Sequence, residues 1–184
     1  MRETRDIPNE LRESLVVSML GSIRHQLLLP EQKTLFDYWR QQSVGRGIPS
    51  YTDIDPSLLG DFLPTVSLME LQTENQQQKY KFRLAGTEFY NFFEREITGR
   101  CLNEVFCHQQ QLYWQRIYDK MIETKRPRVG VTRSRTPVGA HMLQFWIRLP
   151  LSCDGGNVNM ILGFDKFVKP KPVSYTHLTL PTKA

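Results

Sequence analysis

The sequence predicts an α+β domain in which a five-stranded antiparallel sheet carries helices on one face and is preceded by N-terminal helices. Two observations carry this expectation. The apolar period is helical over residues 10–42 and turns to alternation from residue 65 onward. A helical, aromatic-rich block, residues 87–124, then separates two strand-like runs from three others. Two strands, a helical block and three strands joined by short turns fold most simply as one antiparallel sheet with a helical cover. Such a cover leaves a space over the sheet where a small ligand fits.

The elements follow in order. Leu11, Leu15, Val16, Met19, Ile23 and Leu27 form a helical stripe, and Pro30 ends or bends that helix. Residues 31–42 form a second helix with Leu35, Tyr38, Trp39 and Gln42 along one side, stopped by Gly45, Gly47 and Pro49. Asp53 or Asp55 caps a short turn over Pro56–Leu59. Residues 65–71 and 80–85 are strands, with the polar run 73–78 as the loop between them. Residues 87–94 and 102–106 are short helices on either side of a turn at Gly99. Residues 109–124 form a longer helix with a stripe of Leu112, Tyr113, Ile117 and Met121. Residues 128–135, 141–151 and 157–168 are the last strands, joined by Pro137-Val138-Gly139 and Asp154-Gly155-Gly156 turns. In the middle one, Leu143, Phe145, Ile147 and Leu149 share one face, and Gln144, Trp146 and Arg148 share the other.

Composition bounds the function. Of 184 residues, 40% are hydrophobic and 23% charged, the balance of an ordinary globular domain. The net charge of +5 permits an acidic partner without demanding one. Cys101, Cys107 and Cys153 form no CxxC pair, which argues against a disulfide framework or a structural zinc site and for a reducing compartment. Acidic residues interrupt the first turns, so no secretory leader is expected. The apolar stretch 15–20 is far too short to span a membrane. The expected location is the cytoplasm. Residues 173–182, Val-Ser-Tyr-Thr-His-Leu-Thr-Leu-Pro-Thr, match the translation of a library-preparation adapter, so the chain from about Val173 is read as non-native. The expected organisation is an amphipathic region 1–32, a domain 33–168 and a tail 169–184.

Four segments carry a family resemblance. They are Leu35-Phe36-Asp37-Tyr38-Trp39 with Gly47-Ile48-Pro49-Ser50 and Asp53-Ile54-Asp55-Pro56, Tyr80 to Thr87, Ile97-Thr98-Gly99-Arg100 with Leu102, and Leu149-Pro150-Leu151 with Asp154-Gly155. Over residues 33–168 the chain resembles a bacterial PAS-like family once described only as a domain of unknown function. The resemblance implies the fold above and a sensory or regulatory role. It also implies a flanking helix that pairs with a second copy, where the stripe alone leaves packing on the sheet equally open. The motifs themselves are structural: Gly86 lets the chain leave a strand, and Gly99 takes a positive φ.

Each candidate site residue also has a plainer role. Tyr90, Phe93, Tyr118, Met121, Phe145 and Ile147 are candidate walls of a ligand pocket, or simply core. His108 and His141 lack a second ligand at a telling spacing, which disfavours haem. Cys101 lies between Arg100 and Leu102 and lacks the asparagine and arginine neighbours of flavin photoreceptors, which disfavours flavin. Arg100 beside it would lower the thiol pKa. The sequence specifies no cofactor. The basic stretch Lys125, Arg126, Arg128, Arg133 and Arg135 comes with no groove-entering motif, which disfavours nucleic acid and suits a solvated face or an acidic partner. No nucleophile elbow, HExxH, Walker or Rossmann pattern is present. The leading reading is a non-catalytic sensory domain that binds a small ligand or a signalling partner, with homodimerisation through the N-terminal helix. The alternatives are a small enzyme on a curved sheet and a DNA-associated regulator.

Overall fold

The computed structural model describes residues 20–45, 47–74 and 77–170. Five strands form one sheet: β1 (Val66–Glu74), β2 (Gln77–Ala85), β3 (Arg128–Arg135), β4 (His141–Leu151) and β5 (Met160–Val168). Their order is β2-β1-β5-β4-β3 and every pairing is antiparallel. The expected α+β architecture is therefore the observed one. The sequence placed a loop at residues 73–78, yet the ladder runs to the pair Glu74↔Gln77. The pairing reaches polar residues whose described members, Thr73, Glu74 and Gln78, are exposed.

Helices cover both faces. α1 (Pro30–Gln42) and the helical residues 20–26 lie on one side, where Leu27, Leu35, Phe36 and Trp39 pack on Ile147, Leu149, Leu162 and Phe164. Trp39 also donates its indole N–H to the Pro150 carbonyl at 2.9 Å. Pro30 ends no helix here but starts one: it occupies the first turn, where its missing N–H costs nothing. The stripe at Ile23 and Leu27 thus packs within the chain, and its earlier positions lie outside the described residues, as do the residues from 171 onward. Asp55, not Asp53, caps the 3-10 turn Pro56–Thr65, accepting from the Ser57 N–H at 2.9 Å.

The other face carries α2 (Thr87–Phe93), α3 (Leu102–Val105) and α4 (His108–Thr124). Their aromatic residues meet Met69, Phe82, Trp146 and Ile161 of the sheet. The stripe expected on α4 is rotated. Leu112 and Tyr113 are exposed, and Trp114, Tyr118 and Met121 point inward. The larger rings win this face because they span to β4. Gly99 takes φ +83 as expected. Gly86 differs: its backbone is extended, and it is glycine because a Cβ would strike the Leu63 and Pro64 carbonyls.

The two ends of the sheet are unlike. β2 is bonded on its outer side by residues 99–101, with Phe82 N–H donating to Arg100 O at 2.9 Å. β3 has no further backbone neighbour among the described residues. Near that edge Gly130 faces Trp146 across the ladder, and a Cβ on Gly130 would lie 2.5 Å from the indole Cζ2. Gly130→Ala is expected to destabilise the protein by about 1–3 kcal/mol, as overpacking does, measured by urea unfolding. A midpoint equal to that of the parent chain would refute this packing.

Candidate functional site

The polar face of β4 points into the helical side of the domain. Arg148 is held in a bidentate ion pair with Asp165 of β5, Nη1 to Oδ2 at 2.8 Å and Nη2 to Oδ1 at 2.9 Å. Their side chains are 4% and 0% exposed. Nη1 also donates to the Ile147 and Phe164 carbonyls, and Nε donates to the Tyr118 hydroxyl at 3.3 Å. The guanidinium lies 4.6 Å from the Trp114 ring centre and 5.7 Å from that of Trp146. Gln144 donates to Asp165 at 2.6 Å and accepts from Ser134 at 2.7 Å and Thr132 at 3.2 Å. A chain of polar groups thus runs from the buried pair to the edge strand.

Local backbone choices make this possible. Arg148 pairs with Gly163 across the β4–β5 ladder, and a side chain at Gly163 would meet Arg148 Nη1 and Ser67 Oγ. Burial alone would lower the Arg148 pKa, but the adjacent carboxylate of Asp165 outweighs it and keeps the guanidinium charged. Burial pushes the Tyr118 hydroxyl above its ordinary range, and the neighbouring Arg148 offsets part of that rise. Tyr80, hydrogen-bonded to Asp119, is likewise raised, by burial first and then by that carboxylate.

A cleft of about 280 Å³ opens over the outer end of the network, between α4 and strands β3 and β4. Phe92, Phe106, Tyr113 and Trp114 form its aromatic wall, and Thr132, Ser134 and Gln144 its polar floor. Beneath it Trp146 is buried, edge-on to Trp114. The deep interior is packed with aromatic side chains. The cavity therefore lies at the rim of the helical cover.

The six residues singled out from sequence do not come together in this cleft. Tyr118 and Met121 are fully buried behind it, and Phe93 packs edge-on to Phe106 at its side. Tyr90 is 54% exposed on the outer face of α2, because Phe89 and Phe92 take the inward positions. Ile147 belongs to the opposite face of the sheet, under α1, and Phe145, two residues before it in β4, shares that face. The sequence reading separated the two faces of β4 and drew its β4 candidates, Phe145 and Ile147, from the face under α1. Arg148, Asp165, Gln144, Trp114 and Trp146 were missed as a group; the sequence signal was the alternation Gln144-Trp146-Arg148 opposite an acid in the next strand. His108 starts α4 at the surface, and His141 is exposed and bonded to Arg135. The Cys101 thiol is raised by burial and by Glu104, opposite to the effect expected of Arg100.

The class defined by this sheet and its helical cover is that of small sensory and regulatory domains. Residues 29–165 match the family model described as PAS domain, and the chain belongs to that family. No curated protein matches the chain in sequence. Among solved structures it is similar to a PAS domain from Colwellia psychrerythraea, with 9% identity over 63% of this chain and 98% of that one, TM-score 0.47. It is similar to VqmA bound to DPO, with 15% identity over 63% and 58%, TM-score 0.49. It is also similar to an RNA-binding light-oxygen-voltage receptor, with 13% identity over 62% of this chain, TM-score 0.47; the match spans only 33% of that receptor's length.

Replacing one partner of the buried pair, Arg148→Met or Asp165→Asn, is expected to cost about 3–5 kcal/mol in urea unfolding, because it strands a buried group. The double variant Arg148→Met with Asp165→Leu is expected to recover most of that loss. A double variant as unstable as both single ones combined would show no coupling between the two side chains and would refute this account of the pair. Because the native pKa of Tyr118 lies above its ordinary value of 10, this residue's contribution is complete below that pH and falls as pH rises through the shifted value. Tyrosinate absorbance titrated against far-UV circular dichroism should show part of the tyrosine signal appearing only with unfolding.

Proposed function

We propose that this protein is a non-catalytic sensory module of the cytoplasm that binds a small organic ligand in the cleft between α4 and strands β3 and β4. The observation that supports this most is the convergence of an aromatic wall with the polar floor Thr132, Ser134 and Gln144, which continues into the buried Arg148–Asp165 pair. Few polar groups at the end of an aromatic slot orient a ligand, and the rings supply its burial. A ligand that bonds Gln144 competes with Ser134 and Thr132 and changes the load on Asp165. Since Arg148 alternates with Ile147 and Leu149, a displacement of β4 reaches α1 directly. A ligand that binds the two placements of β4 unequally shifts their balance, and α1 with the residues before it carries the change to a signalling partner or a second copy.

Among the described residues no helix is long and apolar enough to cross a membrane. The test is a thermal-melting screen of the full chain against a metabolite panel, with native mass spectrometry on the purified protein. At about a hundredfold excess over Kd a ligand stabilises by roughly 2.7 kcal/mol, a shift of several degrees. Gln144→Leu should abolish the shift while leaving the protein folded. A blank panel together with no co-purified ligand would replace this reading with a module that recognises proteins only.

A further inference from the structure

The direction of the hydrogen bonds beneath the cleft is fixed from their buried end. Asp165 is ion-paired with Arg148, and its carboxylate oxygens only accept. The Gln144 side chain, in a residue 5% exposed, must therefore turn its amide nitrogen toward Asp165, which it meets at 2.6 Å. That orientation leaves the amide oxygen facing β3. The oxygen carries no hydrogen, so Ser134 at 2.7 Å and Thr132 at 3.2 Å each direct their single hydroxyl hydrogen at it. Neither hydroxyl has another partner among the described residues. The floor of the cleft thus presents three oxygens in the accepting role, and the free positions on the two hydroxyls are lone pairs.

The other polar residues of the cleft impose no such polarity. Gln109, Gln110 and Tyr113 each carry groups that both donate and accept. Charge is also missing from the floor. Among the described residues no aspartate or glutamate lines the cleft. Arg133 alternates with Thr132 and Ser134, so its side chain leaves on the other face of β3, where Val129 packs under α1. An anion would meet lone pairs at this floor, and a cation would find no carboxylate. An uncharged acceptor would have to draw a hydroxyl hydrogen away from the buried Gln144 oxygen. A donor requires no such exchange.

We infer that the cleft selects a neutral, flat aromatic molecule carrying an N–H or O–H donor, which the Thr132 and Ser134 oxygens accept. This rests on the ligand-binding reading above and adds the chemical class and the two residues that select it. At about 280 Å³ the cleft lies at the lower end of small-molecule sites, which suits one ring or two fused rings.

Indole and benzofuran are matched probes: the same two fused rings, with the indole N–H replaced by an oxygen that only accepts. In isothermal titration on the full chain indole is expected to bind about three- to tenfold more tightly, the ratio that one net hydrogen bond gives. Indole-3-acetate, which adds a carboxylate, is expected to bind less tightly than indole. Thr132→Val and Ser134→Ala should each weaken indole about threefold and leave benzofuran unchanged. Each variant keeps one hydroxyl on Gln144, and melting midpoints report whether it folds. The indole-to-benzofuran ratio of the parent chain depends on neither variant. Equal binding of indole and benzofuran, tighter binding of indole-3-acetate than of indole, or insensitivity of indole to both variants would overturn the inference while leaving a ligand site in place. If neither indole nor benzofuran binds, the donor class falls. A panel ligand lost in Gln144→Leu then keeps the sensory reading standing, and a blank panel removes both.

Discussion

The buried ion pair between Arg148 and Asp165 constrains the rest of this structure. Two charges taken out of water cost several kcal/mol each, and only near-complete hydrogen bonding recovers the loss. The chain meets that requirement with a bidentate contact, two backbone carbonyls, the Tyr118 hydroxyl and two flanking indoles. Each of these demands something elsewhere. Gly163 must lack a side chain, α4 must turn Tyr118 and Trp114 toward the sheet, and Gln144 must reach across to β5. A slip of one residue between β4 and β5 would drive the guanidinium into the apolar layer under α1, so the pair also specifies strand register.

Alternation along β4 gives the strand two audiences. Gln144, Trp146 and Arg148 belong to the helical cover with the cleft, and Ile147 and Leu149 belong to the layer held by α1. Neither layer is thick, and the same backbone serves both. One side of the strand thus carries a hydrogen-bonded polar network and the other a close-packed apolar layer. The stability of the apolar layer comes from burial and is insensitive to direction. The polar layer is directional, and its geometry responds to a new hydrogen-bonding partner.

Much of the fold was legible because strand and helix periods differ so clearly here. The limits of β3 and β4 were read from alternation and turn chemistry alone, since Pro137-Val138-Gly139 and the run before Pro127 leave little choice. The site was less legible. Hydropathy ranks Ile147 and Leu112 above Arg148 and Trp114, so it nominates the apolar face of β4 and the wrong stripe of α4. The decisive facts are long-range: Asp165 lies 17 residues from Arg148 in sequence, and Tyr118 lies 30. No local pattern reports that an arginine will be neutralised by a strand not yet formed. Tyr90 illustrates the converse, an aromatic residue in an aromatic helix that faces solvent because its neighbours Phe89 and Phe92 fill the available inward positions.

The crossing segment at residues 99–101 has a consequence for assembly. It takes the outer backbone hydrogen bonds of Phe82 in the middle of β2, whereas β3 has no further backbone neighbour among the described residues. Propagating a ribbon from one copy to the next requires two sticky borders, a head and a tail. Among the described residues the contact at Phe82 interrupts one such border, so a strand added there would first have to displace the crossing segment.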